Sequence, residues 1–196
     1  MTLLYIDCCI SLNARSRTRL LAETFLDAWR ERHPQDTVEI VDLKTIELPA
    51  LTHARLAARE ALLEEGRTDD PSFALARQFA AAERIVVAAP YWDLSYPAQL
   101  RLYIEHISAR NLTFGYNEQG RSVGLCRAEK LLFLTTAGGP LENANHGGDH
   151  LQALCKLYGV GSYACLGAEM QDVQEIDHES ILQTALQEAK DLARTF

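Results

Sequence analysis

The stretch from Ile85 to Ile107 constrains this chain more than any other. Ile85–Ala89 is a continuous apolar run rich in β-branched residues, the pattern of a strand covered on both faces of a parallel sheet. Downstream, Leu100, Tyr103, Ile104 and Ile107 fall at i, i+3, i+4 and i+7, one stripe of an amphipathic helix. Pro97 suits the first turn of that helix, where a missing N–H costs nothing. Between them lies a short aromatic loop, Tyr91–Tyr96, at the carboxyl end of a strand. In open α/β sheets ligands bind at that end, and a loop this rich in flat side chains suits a flat ligand.

The rest of the chain repeats the strand-then-helix alternation. Leu3–Asp7 reads as a strand, Cys8–Arg15 as a loop and Ser16–Arg32 as a helix ended by Pro34. Thr37–Asp42 is a second strand, so the first unit is β-α-β. His53–Glu65 and Ser72–Ala82 are two helical pieces, broken at Gly66–Pro71, forming an enlarged crossover into the strand at Ile85. After the helix Ala98–Ala109, Thr113–Leu125 reads as an inserted β-hairpin with turn chemistry at Asn117–Gly120. Lys130–Thr136 is the next core strand, followed by a loop, Ala137–Gly148, and a helix, Asp149–Tyr158. Ser162–Leu166 is a fifth strand and Ile181–Leu192 a closing helix. The expectation is one α/β domain over residues 1–196: a flavodoxin-like, doubly wound five-stranded parallel sheet with helices on both faces.

Composition excludes several classes. A net charge of −8 argues against general nucleic-acid binding, which needs a basic stripe. No apolar run is long enough to span a membrane, and the N-terminus lacks the pattern of a signal peptide, so a cytoplasmic protein is expected. The five cysteines show no paired CxxC, so no metal site is expected. Cys126, Cys155 and Cys165 read as small buried hydrophobes.

Three loops follow the carboxyl ends of strands one, three and four. The first, Cys9–Thr18, opens a helix whose unpaired N–H groups favour an anion, with Ser16 and Thr18 adding hydroxyl donors and Arg15, Arg17 and Arg19 positive potential for a phosphate. It contains neither a Gly-x-Gly-x-x-Gly nor a Walker motif. The second carries Pro90, Tyr91, Trp92, Asp93 and Leu94. In the third, Thr136, Ala137, Gly138 and Gly139 let backbone amides approach a ligand closely. Each loop alone has a plain explanation: a helix cap, aromatics covering the core, an ordinary turn. Together, a phosphate pocket, an aromatic wall and a glycine rim on one edge match a flavin mononucleotide.

Arg15-Ser-Arg-Thr18, Ala89-Pro-Tyr-Trp-Asp-Leu94 with Pro97-x-Gln-Leu100, Thr113-Phe-x-Tyr116 and Thr136-Ala-Gly-Gly139 resemble the flavodoxin-like NAD(P)H-dependent oxidoreductases, which include FMN-dependent azoreductases and quinone reductases. The resemblance covers nearly the whole chain. It implies FMN held by its phosphate at Ser16, Arg17 and Thr18. It runs the isoalloxazine along Tyr91–Leu94 and lines its pyrimidine edge with Thr136–Gly139. The chain departs from the family in having Ile10 where a serine is common, with Ser11 next door, and Ala137 where an arginine is common.

The resemblance further implies a homodimer with Tyr116 covering a flavin. It also implies a two-step exchange in which NAD(P)H delivers a hydride to flavin N5 and leaves, and a small-molecule quinone- or azo-type acceptor is then reduced. The cofactor carries that chemistry, so no catalytic side chain is expected. His146, beside the glycine loop, is a candidate for the substrate pocket, with His150 nearby. Two other readings stand beside this one. An electron-carrying flavodoxin would use the same cofactor without a nicotinamide site. Cys9 and Arg15 also have the Cys-x5-Arg spacing of low-molecular-weight phosphatases and some arsenate reductases, although the loop lacks their glycine.

Overall fold

A computed structural model describes residues 1–11, 16–141 and 144–196. The strands are β1 (Thr2–Asp7), β2 (Thr37–Asp42), β3 (Arg84–Ala88), β4 (Phe114–Tyr116), β5 (Ser122–Gly124), β6 (Lys130–Thr136) and β7 (Ser162–Ala168). The helices are α1 (Arg17–Arg32), α2 (His53–Glu64), α3 (Ala74–Ala81), α4 (Ala98–Ile107), α5 (His146–Tyr158) and α6 (His178–Thr195). Among the described residues five strands form one sheet in the order β2-β1-β3-β6-β7, every neighbouring pair parallel. This is the flavodoxin-like sheet that the alternating pattern predicts. The hairpin is also present, as antiparallel β4 and β5.

The two faces follow from the two-residue period of a strand. Leu4, Ile6, Ile85, Val87, Leu131 and Phe133 point to one side, where α3, α4 and α5 pack through Phe79, Tyr103 and Leu151. Leu3, Tyr5, Val86, Ala88, Leu132 and Leu134 point to the other, against α1 and α6. Consecutive residues are therefore buried on opposite faces, which is why these strands read as unbroken apolar runs. The enlarged crossover is anchored by Arg59 of α2. Its guanidinium donates to the carbonyls of Glu105, His106 and Ser108 at 2.9, 3.1 and 2.8 Å, closing the carboxyl end of α4.

Several boundaries differ from the sequence expectation. Helix α5 begins at His146, so Gly147 and Gly148 lie in its first turn and not in a loop. Asn145 is the cap: its side chain accepts from the Gly148 N–H at 2.9 Å. Gly147 is required by packing, since a Cβ there would lie 2.9 Å from Tyr96 Cδ1. Helix α6 likewise starts earlier, at His178, because Asp177 caps it by accepting from Ser180 N–H. Of the three cysteines expected inside, Cys155 is buried, Cys126 is half-buried and Cys165 is exposed. Cys165 lies on β7, the last strand in the sheet order, where one side has no neighbouring strand.

Candidate functional site

The ends of β1, β3 and β6 are laced together beyond the strands themselves. Cys8 N–H donates to Ala88 O at 2.8 Å, Ala89 N–H to Leu134 O at 3.1 Å, and Tyr91 N–H to Thr136 O at 3.0 Å. The three loops singled out in the sequence thus leave the sheet side by side. They open into a cleft of about 990 Å³, at the upper end of the range for small-molecule sites, roughly 300–1,000 Å³. Ser11, Ser16, Arg17, Thr18, Pro90, Trp92 and Thr136 all line it.

At one end is the amino terminus of α1. Ser16 caps it, its hydroxyl accepting from Arg19 N–H at 3.3 Å. Thr18 is only 2% exposed, and its hydroxyl bonds that of Thr136 at 2.6 Å. This contact fastens the first turn of α1 to the end of β6. Arg19 is engaged inward, donating to Cys9 O at 2.9 Å. Arg17 reaches across the cleft mouth to Asp172 at 3.1 Å. Arg15 and the neighbouring residues 12–14 lie outside the described residues.

The aromatic loop is a tight turn. Trp92 and Ser95 exchange both backbone hydrogen bonds, at 3.2 and 2.7 Å. Asp93 and Leu94 between them have φ of 50° and 63°. Positive φ at both central residues is the signature of a primed two-residue turn, and a leucine there is strained. Helix α5 holds the turn in place. His146 N–H donates to Leu94 O at 3.1 Å, Gly147 packs against Ser95 and Tyr96, and the Tyr96 hydroxyl bonds His150 Nδ1. Arg101 approaches the other ring nitrogen of His150 at 3.3 Å. Trp92 stays 45% exposed, a flat face turned to the cleft. Tyr91 does not line the cleft; its hydroxyl donates to Ala144 O at 2.9 Å.

The glycine rim is organised by the segment just after β7, which carries no local sequence motif. Met170, Gln171 and Asp172, just after β7, donate their N–H groups to the carbonyls of Gly139, Ala137 and Gly138 at 3.3, 3.0 and 3.1 Å. Ala137 is buried beneath this strap. A Cβ at Gly138 would lie 2.4 Å from Asp172 Oδ2, so a larger residue there would displace that carboxylate. Gln171 and Asp172 themselves line the cleft. Gln171 is 2% exposed, its side-chain N–H donates to Glu169 O and His178 O, and its Oε1 has no hydrogen-bond partner among the described residues. The available signal was positional: this segment leaves the same sheet edge as the other three loops.

Tyr116 and His146 are not among the residues that line the cleft. Tyr116, on β4, is 62% exposed and touches Phe114 edge-on at 6.2 Å. His146 is exposed at the start of α5, and its contribution to the turn is its backbone N–H. Cys9 lines the cleft but is 1% exposed, with its thiol against Ala88 O at 3.9 Å. Burial, then the neighbouring Asp7 carboxylate, push that thiol well above the usual cysteine range. A phosphatase needs a thiolate at neutral pH, and this site opposes one.

A family model described as a flavodoxin-like fold matches residues 1–193. A curated relative from Caldicellulosiruptor bescii, an FMN-dependent NADH:quinone oxidoreductase, is 33% identical over 199 residues, covering 99% of this chain and 98% of its own. Another from Clostridium acetobutylicum, FMN-dependent NADH:quinone oxidoreductase 2, is 32% identical over 198 residues, with 98% of each chain covered. The solved structure of azoreductase AzrA superposes over the full length of both chains with a TM-score of 0.88 at 25% identity. A sheet of this order, a cleft at its carboxyl edge and a match across residues 1–193 together place the chain in the flavodoxin-like fold family.

Proposed function

We propose that this protein is an FMN-dependent NAD(P)H oxidoreductase acting on a quinone- or azo-type acceptor. The observation that carries the proposal is the convergence of Ser16, Trp92 and Thr136, from three separate loops, on one cleft. The full-length relatives named for FMN and NADH:quinone chemistry support it.

The residues present fit a flavin mononucleotide. The amino terminus of α1, with Ser16 and Arg17, suits the phosphate. Pro90 and Trp92 offer a flat apolar wall. The unpaired Oε1 of Gln171 is a buried acceptor at the cleft wall, of the kind a polyhydroxyl chain or a ring N–H would satisfy. FMN, when bound, supplies two-electron chemistry between a nicotinamide donor and the acceptor.

The chain's part is to bind and orient. The strained turn at Asp93–Leu94 would hold Trp92 against a bound ring, and α5 over-determines that geometry through His146, Gly147 and His150. The strap at Met170–Asp172 takes up the carbonyls of the glycine rim, which leaves the N–H groups of Gly138 and Gly139 as the rim's donors. Donors there favour the negative charge that reduction places on the pyrimidine edge. Tyr116 and His146 would meet the acceptor, Tyr116 through its exposed ring. The working form is a homodimer in the cytoplasm, with the exposed Trp92, Leu94 and Tyr116 at or near the shared site.

The absorbance spectrum of the purified protein tests this directly. The protein should be yellow, or become so on adding FMN. NADH or NADPH alone should bleach it without oxygen, and a quinone should restore the colour. Protein that binds no added FMN refutes the proposal. Binding without bleaching identifies an electron carrier instead.

A further inference from the structure

Arg17 is the one side chain in the described part of the phosphate end whose guanidinium points across the cleft mouth and ends on an acid. Its partner, Asp172, has an exposed side chain but a fixed backbone. The Asp172 N–H is tied to Gly138 O at 3.1 Å, and its carboxylate sits in the space that Gly138 leaves by lacking a side chain. The neighbouring arginine, Arg19, is turned inward to Cys9 O. The anion end of the cleft is therefore crossed by an acid already paired to its outward cation, at 3.1 Å.

We propose that Asp172 sets how strongly the cleft favours a phosphorylated flavin over an unphosphorylated one. This rests on the FMN reading above. With no phosphate present, Asp172 holds Arg17. A phosphate monoester at the amino terminus of α1 takes Arg17 over, and the released carboxylate then faces a dianion of like charge. Both effects subtract from phosphate affinity, and both act through charge, which an uncharged, unphosphorylated flavin does not carry. The residue acts as a counterweight that keeps FMN exchangeable and narrows the preference for it over riboflavin. Glu23 and Glu179 also line the cleft, so Asp172 is one of several acids there, but it is the one paired to Arg17 among the described residues.

The test uses cofactor-free protein and two probes, FMN and riboflavin, with dissociation constants read from quenching of flavin fluorescence. Asp172→Asn keeps the shape and the backbone bond to Gly138 and removes the charge. FMN should bind about two- to fivefold more tightly, as expected for one solvent-exposed charge pair plus one screened like-charge repulsion. Riboflavin should be unchanged, and the FMN gain should shrink in high salt. In an Arg17→Gln background the same substitution should yield a smaller gain, because no pair remains to be broken. Unchanged or weaker FMN binding by Asp172→Asn overturns the proposal, as does an equal gain for riboflavin. If the unsubstituted protein binds neither flavin, the FMN reading itself has failed. Thermal melts of the cofactor-free variants establish that each is folded.

Discussion

The hydroxyl pair Thr18–Thr136 joins two of the three loops, and its removal is predictable in some detail. Thr18 is buried at 2% exposure, Thr136 is half-buried, and the oxygens lie 2.6 Å apart across 118 positions of sequence. Thr18→Val keeps the branched shape and nearly the same helix propensity, so the change isolates the hydroxyl. It leaves Thr136 Oγ1 facing a methyl group. A stranded buried hydroxyl costs about 1–3 kcal/mol. Thr136 lines the cleft, where water can reach it, so the lower end, about 1 kcal/mol, applies. For a chain of 196 residues that is a fall in Tm of about 2–4 °C. The double variant Thr18→Val/Thr136→Val removes both polar groups and should lose less than the sum of the singles, with a coupling of about 0.5–1 kcal/mol. The assay is thermal and urea unfolding of cofactor-free protein, so that ligand binding does not contribute. A single variant with unchanged Tm, or strictly additive singles, refutes the claim that this pair fastens α1 to β6.

Three further outcomes are expected. Asp7 is buried, which raises its pKa, but Lys44 at 2.6 Å and the Cys9 N–H at 2.8 Å outweigh burial and hold it below its ordinary 3.8. Its stabilisation is therefore present above that value and lost as pH falls through the folded pKa. Asp7→Asn should lower Tm at pH 7, with a difference that closes in acid. Burial, then Arg101, hold His150 below its usual 6.5, so below that pH the unfolded chain takes up a proton that the folded one refuses. Stability should fall as pH drops from about 6.5, and His150→Gln should flatten that slope in melts between pH 5 and 7.5. Cys9→Ser should leave NADH-dependent acceptor reduction at the unsubstituted rate, because the thiol is buried and protonated; loss of activity would revive a nucleophilic role.

The sheet was legible in the linear chain because its three central strands are covered on both faces. Leu3–Ile6, Ile85–Ala89 and Leu131–Leu134 are apolar without a break, and that pattern survives in any one-dimensional reading. The loops at its carboxyl edge were legible because turn and cap chemistry is local: Ser16, Pro97 and Gly138–Gly139 announce themselves within a few residues. What escaped was set by contacts distant in sequence. Gly147 and Gly148 looked like loop glycines, yet one is small to admit Tyr96 and the other opens a helix beneath the Asn145 cap. Cys165 looked like a core residue until strand order put β7 at an edge. Gln171 and Asp172 carry no local motif. They became part of the cleft only because β7 pairs with β6 and delivers the following residues onto the glycine rim. Periodicity and turn chemistry are written over a few neighbouring residues, whereas which acid meets Arg17 depends on how five strands are ordered in space.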